Sequence, residues 1–339
     1  MPETVKPLWK ARLGQTVAFS RDSKMLAVAG ARGPARLLNA QTGKLVAICE
    51  GPKADIYEIA FSYDGRLIAI GAFNKRLAIC DAATGKLVGD FRLDDAEINS
   101  LTFSSKTGHL VRSSRKVEIE VFDPIPGAVC TSIATDPDTH SVLKTSFFSD
   151  GSKLFAAWST KSEKQEVTAA IYSWPGATRM VSAVLDVELV YDASISGDGR
   201  FVALAFSSYR PPQVGVAILD AKTCALMHTV LTHEICAVVF VPSSSLLIAS
   251  DAEEETACCR LIDPRSGKEL GRFEVGNRRI FEFAVSADGR YLAAATSGGA
   301  IVWDLEPPAI SLPYLASPKT GSNDPCRCGS GKKYKKFEG

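Results

Sequence analysis

The sequence has few of the residue types and motifs on which most enzymes rely. Its 339 residues include 4 histidines, and these lie far apart along the chain. The motifs of serine hydrolases, zinc proteases, dinucleotide-binding proteins and phosphate-binding loops are absent from the sequence. No apolar run reaches the roughly 20 residues of a membrane-spanning helix, and the N-terminus lacks the apolar segment of a secretory signal. The sequence therefore predicts a non-catalytic, cytoplasmic protein without a membrane span.

Cysteine usage excludes a disulfide framework. Seven of the nine cysteines lie in apolar runs, singly or as one adjacent pair. Such positions are typical of reduced thiols in a core. These cysteines are Cys49, Cys80, Cys130, Cys224, Cys236, Cys258 and Cys259.

An internal repeat fills most of the chain. An apolar run, a Ser-x-Asp-Gly-like turn and a second apolar run occur seven times, 42 to 48 residues apart. The copies begin at Phe19, Phe61, Phe103, Phe147, Ile195, Phe240 and Val285. A four-stranded propeller blade needs about 40 to 50 residues. The repeat therefore predicts an all-β, seven-bladed propeller of four-stranded blades over residues 1–308.

The seventh copy has no fourth strand, because the chain enters a proline-rich stretch after Leu305. The segment Leu8 to Gly14, at the other end of the propeller, is similar to the fourth strands of other copies. We expect this N-terminal strand to complete the last blade and close the ring, which leaves no open sheet edge between the termini.

The repeat resembles that of the WD-repeat family, across roughly residues 7–308. Trp303 and Asp304 form the dipeptide after which that family is named. An acidic or amide residue stands at the equivalent place in other blades, at Asn39, Asp81, Asp123, Asp220 and Asp263. The resemblance implies a rigid propeller that presents variable loops to other proteins.

One set of loops carries most of the residues predicted to bind a partner. The loops between second and third strands, and those that lead into first strands, should line one face of the ring. The candidates are Arg32, Tyr57, Lys75, Arg76, Arg112, Arg115, Tyr209 and Arg210. The alternative is that these polar loops are simply solvated. Residues 1–322 carry 34 basic and 36 acidic side chains, so the propeller lacks the positive field with which proteins bind nucleic acid.

The end of the chain differs in composition from the rest. Residues 309–322 read as a linker, and residues 323–339 carry five basic against two acidic side chains. This tail resembles the SEC-C motif, the zinc-binding tail of the bacterial preprotein-translocase ATPase. The matching residues are Asn323, Asp324, Pro325, Cys326, Cys328, Gly329, Ser330, Gly331, Lys332, Lys333, Tyr334, Lys335, Lys336 and Gly339. The resemblance implies a bacterial protein and docking to a protein or the ribosome through the basic surface, including Lys332, Lys333, Lys335 and Lys336.

The tail departs from that motif at its last two metal ligands. Phe337 and Glu338 occupy the places where the family has a cysteine and then a cysteine or histidine. A closed zinc site needs four ligands, and this tail offers Cys326, Cys328 and the carboxylate of Glu338. We expect zinc to bind weakly or not at all, and we expect no other cofactor.

Two functions follow from the sequence. The first is a monomeric propeller that acts as a protein-interaction scaffold, with the basic tail aiding docking. The alternative is a propeller hydrolase of the lactonase type that uses the central pocket. Its candidate residues near strand entrances are Glu58, Asn99, Asp192, His233 and Arg279.

Overall fold

The predicted propeller is present. The computed structural model describes residues 5–31, 33–93, 98–114, 118–125, 128–161, 165–209, 211–234, 237–253, 256–276 and 278–305. Within these ranges every regular element is a β-strand, and no helix long and apolar enough to cross a membrane is present in them. The strands form seven antiparallel sheets of four strands each. The expectation of an all-β, seven-bladed propeller is confirmed, whereas the proposed domain boundary at 308, the linker and the tail lie outside the described residues.

Each blade contains four strands, counted here from the central channel outward. The first strands are β2 (Thr16–Phe19), β6 (Ile56–Phe61), β10 (Ile98–Phe103), β14 (Thr139–Phe147), β18 (Leu189–Ile195), β22 (Val238–Phe240) and β26 (Ile280–Val285). The second strands are β3 (Met25–Ala29), β7 (Leu67–Ala72), β11 (Leu110–Ser114), β15 (Lys153–Thr160), β19 (Phe201–Tyr209), β23 (Leu247–Glu253) and β27 (Tyr291–Thr296). The third strands are β4 (Arg36–Asn39), β8 (Arg76–Asp81), β12 (Glu118–Phe122), β16 (Val167–Ser173), β20 (Pro212–Asp220), β24 (Thr256–Asp263) and β28 (Gly299–Asp304). The fourth strands are β5 (Leu45–Ile48), β9 (Leu87–Arg92), β13 (Val129–Ala134), β17 (Arg179–Leu185), β21 (Leu226–Leu231), β25 (Lys268–Gly276) and, in the seventh blade, β1 (Trp9–Lys10).

The two ends of the propeller close the ring. Strand β1 pairs with β28, with Trp9 opposite Val302 and Lys10 opposite Ile301. The backbone N–H of Leu8 adds a hydrogen bond of 2.7 Å to the carbonyl oxygen of Val302. The seven first strands contact one another in chain order, and β26 contacts β2. The predicted N-terminal closing strand is confirmed.

The Ser-x-Asp-Gly sequences form the turns between first and second strands. In the second blade, the Ser62 hydroxyl donates to Asp64 Oδ1 at 2.6 Å and accepts from the Leu67 N–H at 2.9 Å. Gly65 adopts a φ of 72°, a region that favours glycine. The same serine–aspartate bond recurs at Ser20–Asp22, Ser196–Asp198 and Ser286–Asp288. Each motif satisfies the hydrogen-bonding groups of its own turn, which explains why the motif recurs with the period of the blade.

The hydrophobic core lies between the blades. Seven clusters of buried side chains occur, and each combines residues from two neighbouring blades. Second strands are therefore covered on both faces, and all six residues of β27 are buried. Coverage on both faces explains why these strands read as continuous apolar runs rather than as an alternating pattern.

The cysteines differ in burial according to their position in the blade. Cys49, Cys80, Cys224, Cys258 and Cys259 are buried free thiols, as expected. Cys130 is exposed, so its assignment to the core was wrong. It lies in β13, an outermost strand that no further strand of its blade covers.

The antiparallel order gives the ring two different faces. Turns between first and second strands and between third and fourth strands lie on one face, which we call the turn face. Loops between second and third strands, and loops that lead into first strands, lie on the other, which we call the loop face.

Candidate functional site

A repeated β-bulge shapes the first strands near the loop face. In five blades the pairing of the first with the second strand slips by one residue. The residues at these bulges are Tyr57, Asn99, Leu143, Tyr191 and Phe281, and the fourth blade has a second bulge at His140. A bulge bends the strand and redirects the side chains beside it. The fold therefore displays a set of side chains around the channel that strict strand alternation would not.

Exposed aromatic side chains surround the mouth of the channel on the loop face. Tyr57, Tyr191 and Phe281 are 47%, 46% and 37% exposed. Phe73 lies edge-on to Tyr57 with ring centres 5.8 Å apart, and Tyr209 ends strand β19 with 59% of its surface exposed. We call these five residues the aromatic rim. Exposed aromatic groups of this kind mark binding surfaces in soluble proteins.

The residue that follows the bulge position forms a second layer, one step deeper in the channel. In every blade it stands four residues before the residue that opens the first-to-second-strand turn. The seven residues are Thr16, Glu58, Ser100, Lys144, Asp192, Ala237 and Glu282. We call this set the channel layer. It brings three carboxylates and one lysine from four different blades into one cluster.

Lys144 is the basic residue of this layer and interacts with all three of its acidic residues. Its Nζ lies 2.8 Å from Glu58 Oε1, and the two side chains are 18% and 13% exposed. Burial lowers the pKa of Lys144, but the charges of Glu58, Asp192 and Glu282 outweigh burial, so the pKa is raised. The acidic neighbours thus favour the charged form of the Lys144 ammonium group.

For the carboxyl groups of Asp192 and Glu282 the surroundings favour the neutral form. Burial raises the pKa of Asp192 to about 6, although Lys144 works against this rise. Burial, reinforced by the charge of Glu58, raises the pKa of Glu282 to about 8. At neutral pH Glu282 is therefore largely protonated and does not contribute a full negative charge to the layer.

The channel layer also joins neighbouring blades. The Val238 N–H donates to Asp192 Oδ2 at 2.9 Å, and the Val17 N–H donates to Glu282 Oε2 at 3.0 Å. The Thr145 N–H likewise donates to the Ser100 hydroxyl at 3.0 Å. All three donors occupy equivalent positions in their repeats. Part of the layer is therefore structural, because its side chains satisfy backbone donors of the next blade.

The five pocket candidates from the sequence do not all converge. Glu58 and Asp192 join the channel layer. Asn99 instead donates to the carbonyl oxygen of Val142 at 2.8 Å, in the next blade. His233 is mostly exposed, with Nδ1 3.5 Å from an Asp251 oxygen, and Arg279 pairs with Glu234 at 3.4 Å. Lys144 and Glu282 were not among the candidates, although alignment of the seven repeats places both in register with Glu58.

The predicted basic loop residues have mixed positions. Lys75 lies in an exposed loop with a φ of 63°, and Arg76 begins strand β8 and pairs with Asp90. Arg112 is not in a loop: it lies in β11, is 4% exposed and pairs with Glu120, so its assignment to the loop face was wrong. Strand β11 extends further toward the loop face than the sequence indicated. The remaining candidates, Arg32, Arg115 and Arg210, lie outside the described residues.

The tail candidates cannot be placed against this surface. Cys326, Cys328 and Glu338, and the lysines Lys332, Lys333, Lys335 and Lys336, lie outside the described residues. Across the described part of the chain, no group of three or more histidine, cysteine or acidic side chains is arranged to hold a metal ion.

Comparison with known families supports the assignment of the repeat. A sequence model of the WD40 domain of anaphase-promoting complex subunit 4 matches residues 48–106. This segment runs from the end of the first blade, through the whole second blade, into the third. The fold is a seven-bladed β-propeller, and the segment around its second blade is similar to a WD40 domain.

Two relatives match short stretches of the chain. The protein translocase subunit SecA of Burkholderia thailandensis is 46% identical over 59 residues, which cover 16% of this chain and 6% of SecA. SecA of Thiobacillus denitrificans is 36% identical over 98 residues, which cover 28% of this chain and 10% of SecA. The chain spans no more than a tenth of either relative, so these matches indicate a shared short segment rather than a shared activity.

Proposed function

We propose that this protein is a non-catalytic scaffold that binds a partner protein on the loop face of its propeller. The observation that carries the proposal is the aromatic rim, which places five exposed aromatic side chains around one mouth of the channel. WD-repeat propellers typically bind proteins and are generally not enzymes, which agrees with this proposal. The basic tail, through its lysines, extends the docking surface.

The experiment compares captured proteins between two faces of the ring. Tagged full-length protein, a Tyr57→Ser/Tyr191→Ser variant and a Tyr63→Ser variant are used to retain proteins from a bacterial lysate, with quantitative mass spectrometry. Tyr63 is a matched control because it is 45% exposed but lies in a turn on the turn face, beneath Arg21. We expect the loop-face variant to lose specific proteins that the Tyr63 variant retains.

Either of two results would contradict the proposal. Retention of the same proteins by both variants would remove the loop face as the binding surface. Loss from the Tyr63 variant alone would move recognition to the turn face. Melting temperatures of all variants exclude loss of binding through unfolding.

The enzyme alternative has one observation in its favour, the convergence of Glu58 and Asp192 in the channel layer. Their oxygens are engaged, however: Glu58 pairs with Lys144, and Asp192 accepts backbone N–H groups of Ala193 at 2.8 Å and Val238 at 2.9 Å. General acid–base catalysis requires a group that can reach the proton of a bound substrate. A carboxylate that already accepts two backbone hydrogen bonds is better suited to holding the fold or binding a cation.

For the tail we propose weak or absent zinc binding, because the resemblance to the SEC-C motif provides Cys326, Cys328 and only a carboxylate at Glu338. Metal binding supplies most of the folding free energy of such short segments. Zinc titration of the full chain, with a Cys326→Ser/Cys328→Ser variant as the control, tests this. A stoichiometric, sub-micromolar site that the control lacks would contradict the proposal.

A further inference from the structure

The channel layer contains more acidic than basic side chains. Glu58, Asp192 and Glu282 face a single built-in cation, Lys144, and the other three members of the layer, Thr16, Ser100 and Ala237, bear no charge. Lys144 bonds directly to Glu58, whereas Asp192 and Glu282 are held by backbone N–H groups. Backbone donors are neutral, so they supply hydrogen bonds without supplying a counter-charge. The layer is therefore deficient in cations on the side of blades five and seven.

The layer is open to a group from outside. Lys144 and Glu58 retain 18% and 13% exposure of their side chains, and Asp192 and Glu282 are also partly exposed. The aromatic rim is next to the layer along the first strands, with Tyr191 and Phe281 each preceding an acidic residue of the layer in the sequence. A long cationic side chain can place its stem and charge against such rings while its head enters deeper. Rim and layer together thus present aromatic side chains next to acidic side chains at the mouth of the channel.

We propose that the mouth of the channel binds an arginine or lysine side chain of a protein partner, with Asp192 and Glu282 as its counter-ions and Tyr191 and Phe281 against its stem. This inference rests on the proposed scaffold function and names the chemistry of the partner. Charge complementarity favours a basic segment over an acidic one. An arginine is the better fit, because its planar guanidinium both stacks on rings and pairs with carboxylates.

The raised pKa values give the proposal a second consequence. Because Glu282 has a pKa of about 8 and Asp192 a pKa of about 6, both carboxyl groups bind protons that an incoming cation must displace. Binding should therefore release protons at neutral pH and tighten as the pH rises from 6 to 9. Glu58 and Lys144 act on Asp192 from other first strands, and Asp192 in turn raises the pKa of Glu282, so these groups share one equilibrium.

The probe is hexa-arginine labelled with tetramethylrhodamine, a dye that does not titrate between pH 6 and 9, so the charge of the probe is constant over this range. Hexa-citrulline with the same label is the uncharged counterpart of similar shape. Fluorescence anisotropy measures binding to the full chain at low and moderate salt. We expect the arginine peptide alone to bind. Asp192→Asn should weaken binding about tenfold, in line with the loss of one charge-assisted contact. Glu282→Gln should abolish the tightening between pH 7 and 9.

Lys144→Gln separates a binding site from a purely structural cluster. Removal of the built-in cation should strengthen hexa-arginine binding several-fold if the layer takes an external cation. A structural role predicts no such gain. Glu274→Gln is the matched control, because Glu274 is an exposed glutamate on outer strand β25.

Three results would overturn the inference. They are equal binding of the two peptides, equal effects of Asp192→Asn and Glu274→Gln, and weaker binding by Lys144→Gln. Stronger binding by a chain ending at residue 308 would reassign the mouth to the protein's own basic tail. If hexa-arginine does not bind but the Tyr57→Ser/Tyr191→Ser variant still loses its captured proteins, the inference fails and the scaffold function stands.

Discussion

At the scale of single residues, the structure gives different roles to basic side chains that look alike in sequence. Arg112 and Lys144 each lie in a strand, yet Arg112 is buried within blade three and Lys144 faces the channel. Strand alternation fixes which side of its own sheet a residue occupies, but not what lies opposite. The neighbouring blade or the open channel decides that, and both come from distant sequence.

The stability of the protein should depend on Arg112 and Glu120 being matched, so that loss of one charge costs more than loss of both. Its side chains are 4% and 14% exposed, and burial lowers the pKa of Arg112 to about 10. Arg112→Met removes the guanidinium group that pairs with the Glu120 carboxylate and should reduce the free energy of unfolding by about 3 kcal/mol. Adding Glu120→Leu should restore most of that loss, because both charges are then gone. Urea denaturation of the single and double variants measures this; a double variant as unstable as the single would contradict it.

Glu282 should give the stability of the protein a distinct pH dependence. Its carboxyl pKa is about 8 in the folded state and near the ordinary glutamate value when unfolded, so the folded state binds the extra proton between these values. The free energy of unfolding should therefore fall as the pH rises through this window and level off above about pH 8. Asp192, with a pKa of about 6, contributes in the same sense at lower pH.

Glu282→Gln tests the assignment, since glutamine resembles the protonated acid and does not titrate. Urea denaturation between pH 5 and 9 should show a flatter profile for this variant, while Glu274→Gln keeps the slope of the natural chain. Identical slopes in all three proteins would mean that Glu282 titrates normally.

At the scale of elements, β1 is the shortest strand yet closes the ring. Trp9 strengthens it: the indole N–H donates to the Ala40 carbonyl oxygen at 2.9 Å, and the ring lies against Gly43, where an added Cβ would come within 2.7 Å of it. Trp9 therefore connects the closing strand of blade seven to blade one. Its contacts on two blades compensate for a strand of only two residues.

Trp9→Ala should destabilise the propeller by about 2 kcal/mol, because a half-buried ring and a hydrogen bond are both lost. Trp9→Phe keeps most of the packing and should lose about 1 kcal/mol. Thermal and urea unfolding rank the two variants. Equal stability of the alanine and phenylalanine variants would show that the ring does not hold the closing strand.

At the scale of the whole molecule, the ring closes with residues 5–305 alone. The seven inter-blade clusters and the β1–β28 pairing lie within this range, and Leu305 is buried at its end. A chain that ends at residue 308 should therefore fold and melt within about 2 °C of the full chain, a difference below about 1 kcal/mol. Circular dichroism with heating measures this. A fall of more than about 5 °C would mean that the tail packs on the propeller.

The sequence by itself determined the number of blades, their turns and the closing strand, because these depend on local signals. A serine–aspartate turn such as Ser62–Asp64 satisfies its own hydrogen bonds. The length of each repeat matches that of a four-stranded blade. Only the tertiary structure decided that Glu58, Lys144, Asp192 and Glu282 meet, and that Tyr57 and Tyr191 share a rim. These residues lie between one and five repeats apart, and the curvature of the ring and the bulges in its first strands, rather than any local pattern, bring them to one mouth.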